Sequence, residues 1–113
     1  MNYQHQALAG GGWEKLSFIE QMAHIGSEVE RAMKWRNKGN AVYSRMAIER
    51  ALELIDFILR TRQPLSKLRE MARVRECLVD DFYADNTHQS TDELWRKYFY
   101  AFALACARKK NNV

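Results

Sequence analysis

Residues 17–40 read SFIEQMAHIGSEVERAMKWRNKGN, and this stretch decides the fold. Ser17 followed by Glu20 has the spacing of a capping box, in which each side chain ties down the other's free backbone amide. Advancing about 100° per residue from there puts Phe18, Ile19, Met22, Ile25, Gly26, Val29, Ala32 and Met33 on one face, the pattern of an amphipathic helix. Lys34, Arg36 and Lys38 suit the negative end of the helix dipole. Gly39 suits the left-handed position that stops a helix. The stretch therefore reads as a helix over 17–37, and Gly39-Asn40 reads as its break, or as a kink within one longer helix.

Three more stripes follow. Residues 41–61 carry Ala47, Ile48, Ala51, Leu52, Leu54, Ile55, Ile58 and Leu59 inward, and Pro64 closes that segment because the residue before a proline leaves the α region. Residues 65–84 carry Leu65, Leu68, Met71, Ala72, Leu78, Val79 and Phe82. Residues 91–108 open on a second capping box, Ser90 with Glu93, and carry Leu94, Trp95, Tyr98, Phe99, Phe102, Ala105 and Cys106. Four helices of similar length on short links predict an all-α, up-down-up-down antiparallel four-helix bundle. Residues 1–12, ending in three glycines, read as a flexible arm, and 13–113 as one domain.

The chain has 113 residues, 47% of them hydrophobic and 28% charged, with one proline and five glycines. A domain of that size buries about two-thirds of its unfolded surface without staples. Cys77 and Cys106 have no ligand-type spacing, which fits a reducing cytoplasm, and no signal-like or membrane-length apolar run is present. The net charge of +4 permits nucleic-acid binding without arguing for it.

Antiparallel packing sorts the charges into two poles. One gathers the 61–66 link and the C-terminus, with Arg60, Arg62, Lys67, Arg69, Arg108, Lys109 and Lys110 as candidate contacts to nucleic acid. The other gathers the 37–40 and 85–90 links. There Tyr83, Asp85, Asn86 and Trp95 line either a pocket or the capping layer of the core. Arg36 and Arg75 break the patterning, since each falls on or beside an apolar stripe. Such an arginine is paired internally, with Glu30 or Glu49 in reach, or snorkels outward, or holds an anion or a partner. These six residues form the candidate binding pole. Trp95, Tyr98, Phe99 and Tyr100 are more large aromatics than one helix face can bury, which points to an association surface.

Chemistry-bearing motifs are sparse. Glu20, His24 and Glu28 share a helix side that reads as solvated. The segment ELIDFIL at 53–59 resembles the Glu-x-x-Asp helix of the all-α, MazG-like nucleoside triphosphate pyrophosphohydrolases. That resemblance covers seven residues and implies Mg²⁺ held by Glu53 and Asp56, but the family's earlier Glu-x-x-Glu pair is absent. Trp35, Gly39 and Asn40, followed by Ala47 to Leu54, resemble one incomplete tetratricopeptide helix pair, which cannot build a solenoid. His5, His24 and His88 lack the preceding arginine of HEPN-type ribonucleases. The expectation is a non-enzymatic, self-associating interaction module, most simply a homodimer that also takes a protein partner, with no cofactor, metal or catalytic residue. A nucleic-acid binder and a Mg²⁺-dependent nucleotide hydrolase are the alternatives.

Overall fold

The computed structural model describes residues 12–13 and 15–111, with side chains through Arg108. The proposed arm at 1–12 thus lies, apart from Gly12, outside the described residues, as do the side chains of Lys109 and Lys110. The chain forms a four-helix bundle: α1 Phe18–Asn37, α2 Ala41–Arg60, α3 Leu65–Tyr83 and α4 Asp92–Asn111.

The capping box at Ser17 and Glu20 is formed with both of its hydrogen bonds. Gly39 stands at φ +79°, its amide donates to the Arg36 carbonyl, and the Asn40 amide reaches the Trp35 carbonyl at 2.9 Å. This is a Schellman closure. It breaks the chain between α1 and α2 rather than kinking one long helix. Asn40 then caps α2 by accepting the Tyr43 amide at 3.0 Å. The start of α4 differs from expectation: its cap is Thr91, whose hydroxyl accepts the Leu94 amide at 3.1 Å. Ser90 is drawn the other way, its amide and carbonyl both bonded to the Asn86 side chain.

Helix α1 is central. It packs against both α2 and α4, and α3 packs mainly against α2. Between α3 and α4 the links are side chains, Glu70 to Tyr98 and Asp81 to Trp95. Met22, Ile25, Val29, Ala32 and Met33 meet Ala47, Ile48, Ala51, Leu54, Ile55 and Ile58 in the core, as the stripes of the first two segments predict.

Two consequences of α1's position were not expected. Glu28, on its polar side, is buried, held between Arg31 at 2.8 Å and Arg50 at 2.7 Å rather than solvated. Helix α3, touching mainly α2, buries a narrow stripe of Met71, Val74 and Leu78, while Leu65 and Ala72 are exposed. Among the described residues no helix is long and apolar enough to cross a membrane.

Candidate functional site

At the pole formed by the ends of α1 and α3 and the start of α4, Arg36 spans three elements. Its Nη1 donates to Asp81 Oδ1 at 3.0 Å and its Nη2 to Asp92 Oδ1 at 2.9 Å. The guanidinium lies 4.0 Å from the Phe82 ring centroid. Trp95 Nε1 donates to the other Asp81 oxygen at 2.9 Å, and Asn37 Nδ2 to the second oxygen of Asp92 at 2.9 Å. Arg36 and Trp95 are therefore brought together through Asp81. The partners of Arg36 are not Glu30, which pairs with Arg96 at 2.9 Å, nor Glu49. Asp81 sits near the C-terminal end of α3, where the dipole disfavours an acid, so its placement needs these donors. Both prongs of the Arg36 fork are used within the chain, which makes the network a clamp between helices.

The link from α3 to α4 is tied down around Asp80, whose carboxylate accepts the His88 amide, the Thr87 amide and the Thr87 hydroxyl at 2.9–3.2 Å. These bonds, led by that from His88, hold the Asp80 carboxyl below the usual carboxylate range. They also hold Asn86 and Gln89 in left-handed backbone conformations, φ 54° and 57°. Asn86 thus serves the loop's own closure, and Asp85 is exposed beside it. Tyr83 lies under the Arg45 guanidinium at 5.1 Å, beside a pocket of about 190 Å³ shared with Arg36, Ser44 and Phe82. Arg75 is not at this pole. It lies midway along α3, its Nε donating to Asp56 Oδ1 on α2 at 2.8 Å, because α3 packs on α2 and turns that arginine towards it.

The four α4 aromatics expected to form an association surface divide between core and surface. Trp95 and Phe99 are 7% and 6% exposed and stack at 6.0 Å. Tyr98 meets Phe99 and Phe102 edge-on and donates its hydroxyl to Glu70 at 2.6 Å; its burial and this bond push the phenol pKa far up. Only Tyr100 is open, at 65% exposure. Trp95, Phe99 and Tyr100 nevertheless meet at one place, a groove of about 500 Å³ along the α1–α4 seam. Its floor is low because α1 has glycine at position 26: a Cβ there would fall 2.8 Å from Phe99 Cβ. Ala23 and Ala103 keep the walls shallow, and Arg31, Lys34 and the Glu30–Arg96 pair form the rim. Beyond Ser27 the seam runs on to a smaller hollow lined by Glu20, His24 and Cys106.

A second exposed apolar patch, not foreseen as a unit, lies on the first turns of α2: Val42 at 68%, Tyr43 and Met46, with Tyr43 edge-on to Trp35 at 4.9 Å. The alternation of Val42, Tyr43 and Met46 with Ser44 and Ala47 carries the signal, since the latter pair alone continues the core stripe. At the opposite pole, Arg60, Arg62 and Lys67 surround one cavity; Arg69 and Arg108 are exposed and do not line it.

Other titratable groups singled out in the sequence are engaged separately. Glu20 caps α1, His24 meets the Trp13 ring edge-on, Glu28 is held by its two arginines and Asp56 by Arg75. Among the described residues no three His, Cys, Asp or Glu side chains are grouped to hold a metal ion. Cys77 is half-buried, and burial pushes its thiol pKa up, away from the reactive thiolate. Comparison with protein-family models, curated proteins and solved structures finds no match for this chain.

Proposed function

We propose that this chain is a non-enzymatic interaction module that pairs with a second copy of itself through the α1–α4 groove. The observation that carries the reading is the groove itself: an apolar floor of Gly26, Met33, Trp95 and Phe99 with the exposed ring of Tyr100 at its edge.

Charge supports a twofold partner. One end of the seam carries Lys34 with Arg31 and Arg96, paired to Glu28 and Glu30, for a net positive charge, and the other carries Glu20. In an isologous pair about an axis near Ser27 and Ala103, the basic end of each copy faces the acidic end of its partner, and each Tyr100 reaches the opposite groove. From Glu20 to Lys34 the face is about 21 Å long, at about 1.5 Å per residue. Two helices wide, it falls at or below the roughly 800 Å² per partner of a standard interface, so the pairing is reversible.

Sedimentation equilibrium with native mass spectrometry tests this. Wild type is expected as a concentration-dependent dimer of the 13.3 kDa chain. Tyr100→Glu or Ala103→Glu is expected to leave a folded monomer, and Met46→Glu on the α2 patch a dimer. Dissociation by Met46→Glu alone would move the interface to α2, and a monomeric wild type would end the proposal.

A further inference from the structure

We infer that the pole opposite the Arg36 clamp holds a binding site for a phosphate monoester, independent of any pairing through α1–α4. The cavity there measures about 440 Å³, within the size range of small-molecule sites. It forms where the end of α2 and the 61–64 connector face the first turn of α1, and Arg60, Arg62 and Lys67 all open onto it.

What sets the cavity apart is a group of cations with no acid among the described residues that line it. Elsewhere Arg31, Arg36, Arg50, Arg75 and Arg96 each hold a carboxylate within 3.0 Å. Arg62 and Lys67 have no carboxylate partner among the described residues, and no acid is among the described residues that line the cavity. Concave walls with one sign of charge focus the field, so the hollow attracts an anion more strongly than the same cations on a flat surface.

The surroundings supply position and further donors. The Lys67 ammonium lies 4.7 Å from the Phe18 ring centroid, which holds it at the mouth. Gln21, 5% exposed and fixed by its bond to the Trp13 carbonyl, makes a rigid wall. Gln63 adds an amide held 3.4 Å from the Thr61 hydroxyl. Helix α3 starts beside the cavity with no side-chain cap, so the positive end of its dipole adds to Arg62 and Lys67. The Arg62 guanidinium and the Lys67 ammonium beside a polar hollow match a dianionic phosphate with several acceptor oxygens better than a single carboxylate.

Such a phosphate comes from a free mononucleotide-sized metabolite or from the 5′ end of a nucleic acid, and the test separates them. The full chain is titrated with adenosine 5′-monophosphate, adenosine, and oligothymidylate with and without a 5′-phosphate, read by ³¹P NMR and calorimetry. Saturable binding of the monophosphate and not of adenosine is expected, weakened by salt and by inorganic phosphate. Arg62→Gln and Lys67→Gln should each weaken it about tenfold, while Lys97→Gln on exposed α4 leaves it unchanged, with circular dichroism confirming the fold of each. Preference for the 5′-phosphorylated oligonucleotide assigns the phosphate to a nucleic-acid end, still at this site. Binding that ignores both substitutions, or falls equally with Lys97→Gln, or is absent at millimolar ligand, overturns the inference.

Discussion

Gly26→Ala tests how closely α1 and α4 meet. In an exposed helix interior the change stabilises by about 1 kcal/mol, because alanine loses less backbone entropy than glycine. Here the new Cβ would lie 2.8, 2.9 and 3.0 Å from Cβ, Cγ and Cδ1 of Phe99. Carbon atoms rest at about 3.5–4.0 Å, so the two helices must part by at least about 0.7 Å. Two of the crowding atoms belong to a ring stacked on Trp95 and edged by Tyr98, and the third is bound to the α4 backbone, so none can swing aside. Overpacking of this kind costs about 1–3 kcal/mol. The net expectation is a loss of about 1 kcal/mol, or about 4 °C in Tm for a domain of this length. Thermal and urea unfolding by circular dichroism measure it, with Ser27→Ala as the neighbouring exposed control, expected within about 0.5 kcal/mol of wild type. In a Phe99→Ala background the penalty should shrink by about 1 kcal/mol, since Cγ and Cδ1 are gone. A Gly26→Ala protein more stable than wild type by the full helix-propensity gain would refute the close approach.

Asp81→Ala should cost about 2–4 kcal/mol, because it strands the buried Trp95 indole N–H and one prong of Arg36; chemical unfolding followed by tryptophan fluorescence reads it. The Asp80 carboxyl is held below its unfolded value, so its contribution is present above about pH 3.9 and lost as pH falls through the folded value. Hydrogen-exchange protection at Thr87 and His88 should therefore collapse in acid before the helices melt, and Asp80→Ala should show that loss at neutral pH. Tyr98 has the opposite sign: its raised pKa means a contribution complete below about pH 10 and lost as pH rises further. Absorbance at 295 nm should show one tyrosine that ionises only as the bundle unfolds, and Tyr98→Phe should remove that delayed step.

The sequence was most legible where local chemistry decides the backbone. The Ser17–Glu20 box, the Gly39 stop, the Pro64 boundary and the stripes of α1 and α2 follow from rules spanning four or five residues. What the sequence did not disclose depends on neighbours distant in the chain. Glu28 reads as solvated from its own helix, yet α2 brings Arg50 to it. Val74 belongs to the core and Ala72 does not, because α3 meets one helix and its stripe is narrower and rotated. Thr91 rather than Ser90 caps α4, since Asn86 captures Ser90. Of the candidate site, Arg36 was identifiable as a rule-breaker and Trp95 as an aromatic of the pole, whereas Asp81 was overlooked as a specific partner. An acid near a helix C-terminus was the signal available for it. The α4 aromatics indicated an unusual surface but not that Trp95 and Phe99 would be its floor and Tyr100 its only exposed member.

The central claim, pairing through the α1–α4 groove, is tested most directly by amide chemical-shift changes on dilution of ¹⁵N-labelled protein from millimolar to low micromolar. Shifts are expected to be confined to the seam, at Ala23, Ser27, Lys34, Arg96, Tyr100 and Ala103, with Val42 to Met46 silent. Shifts centred on Val42 to Met46, or a spectrum that does not change across the range, would contradict it.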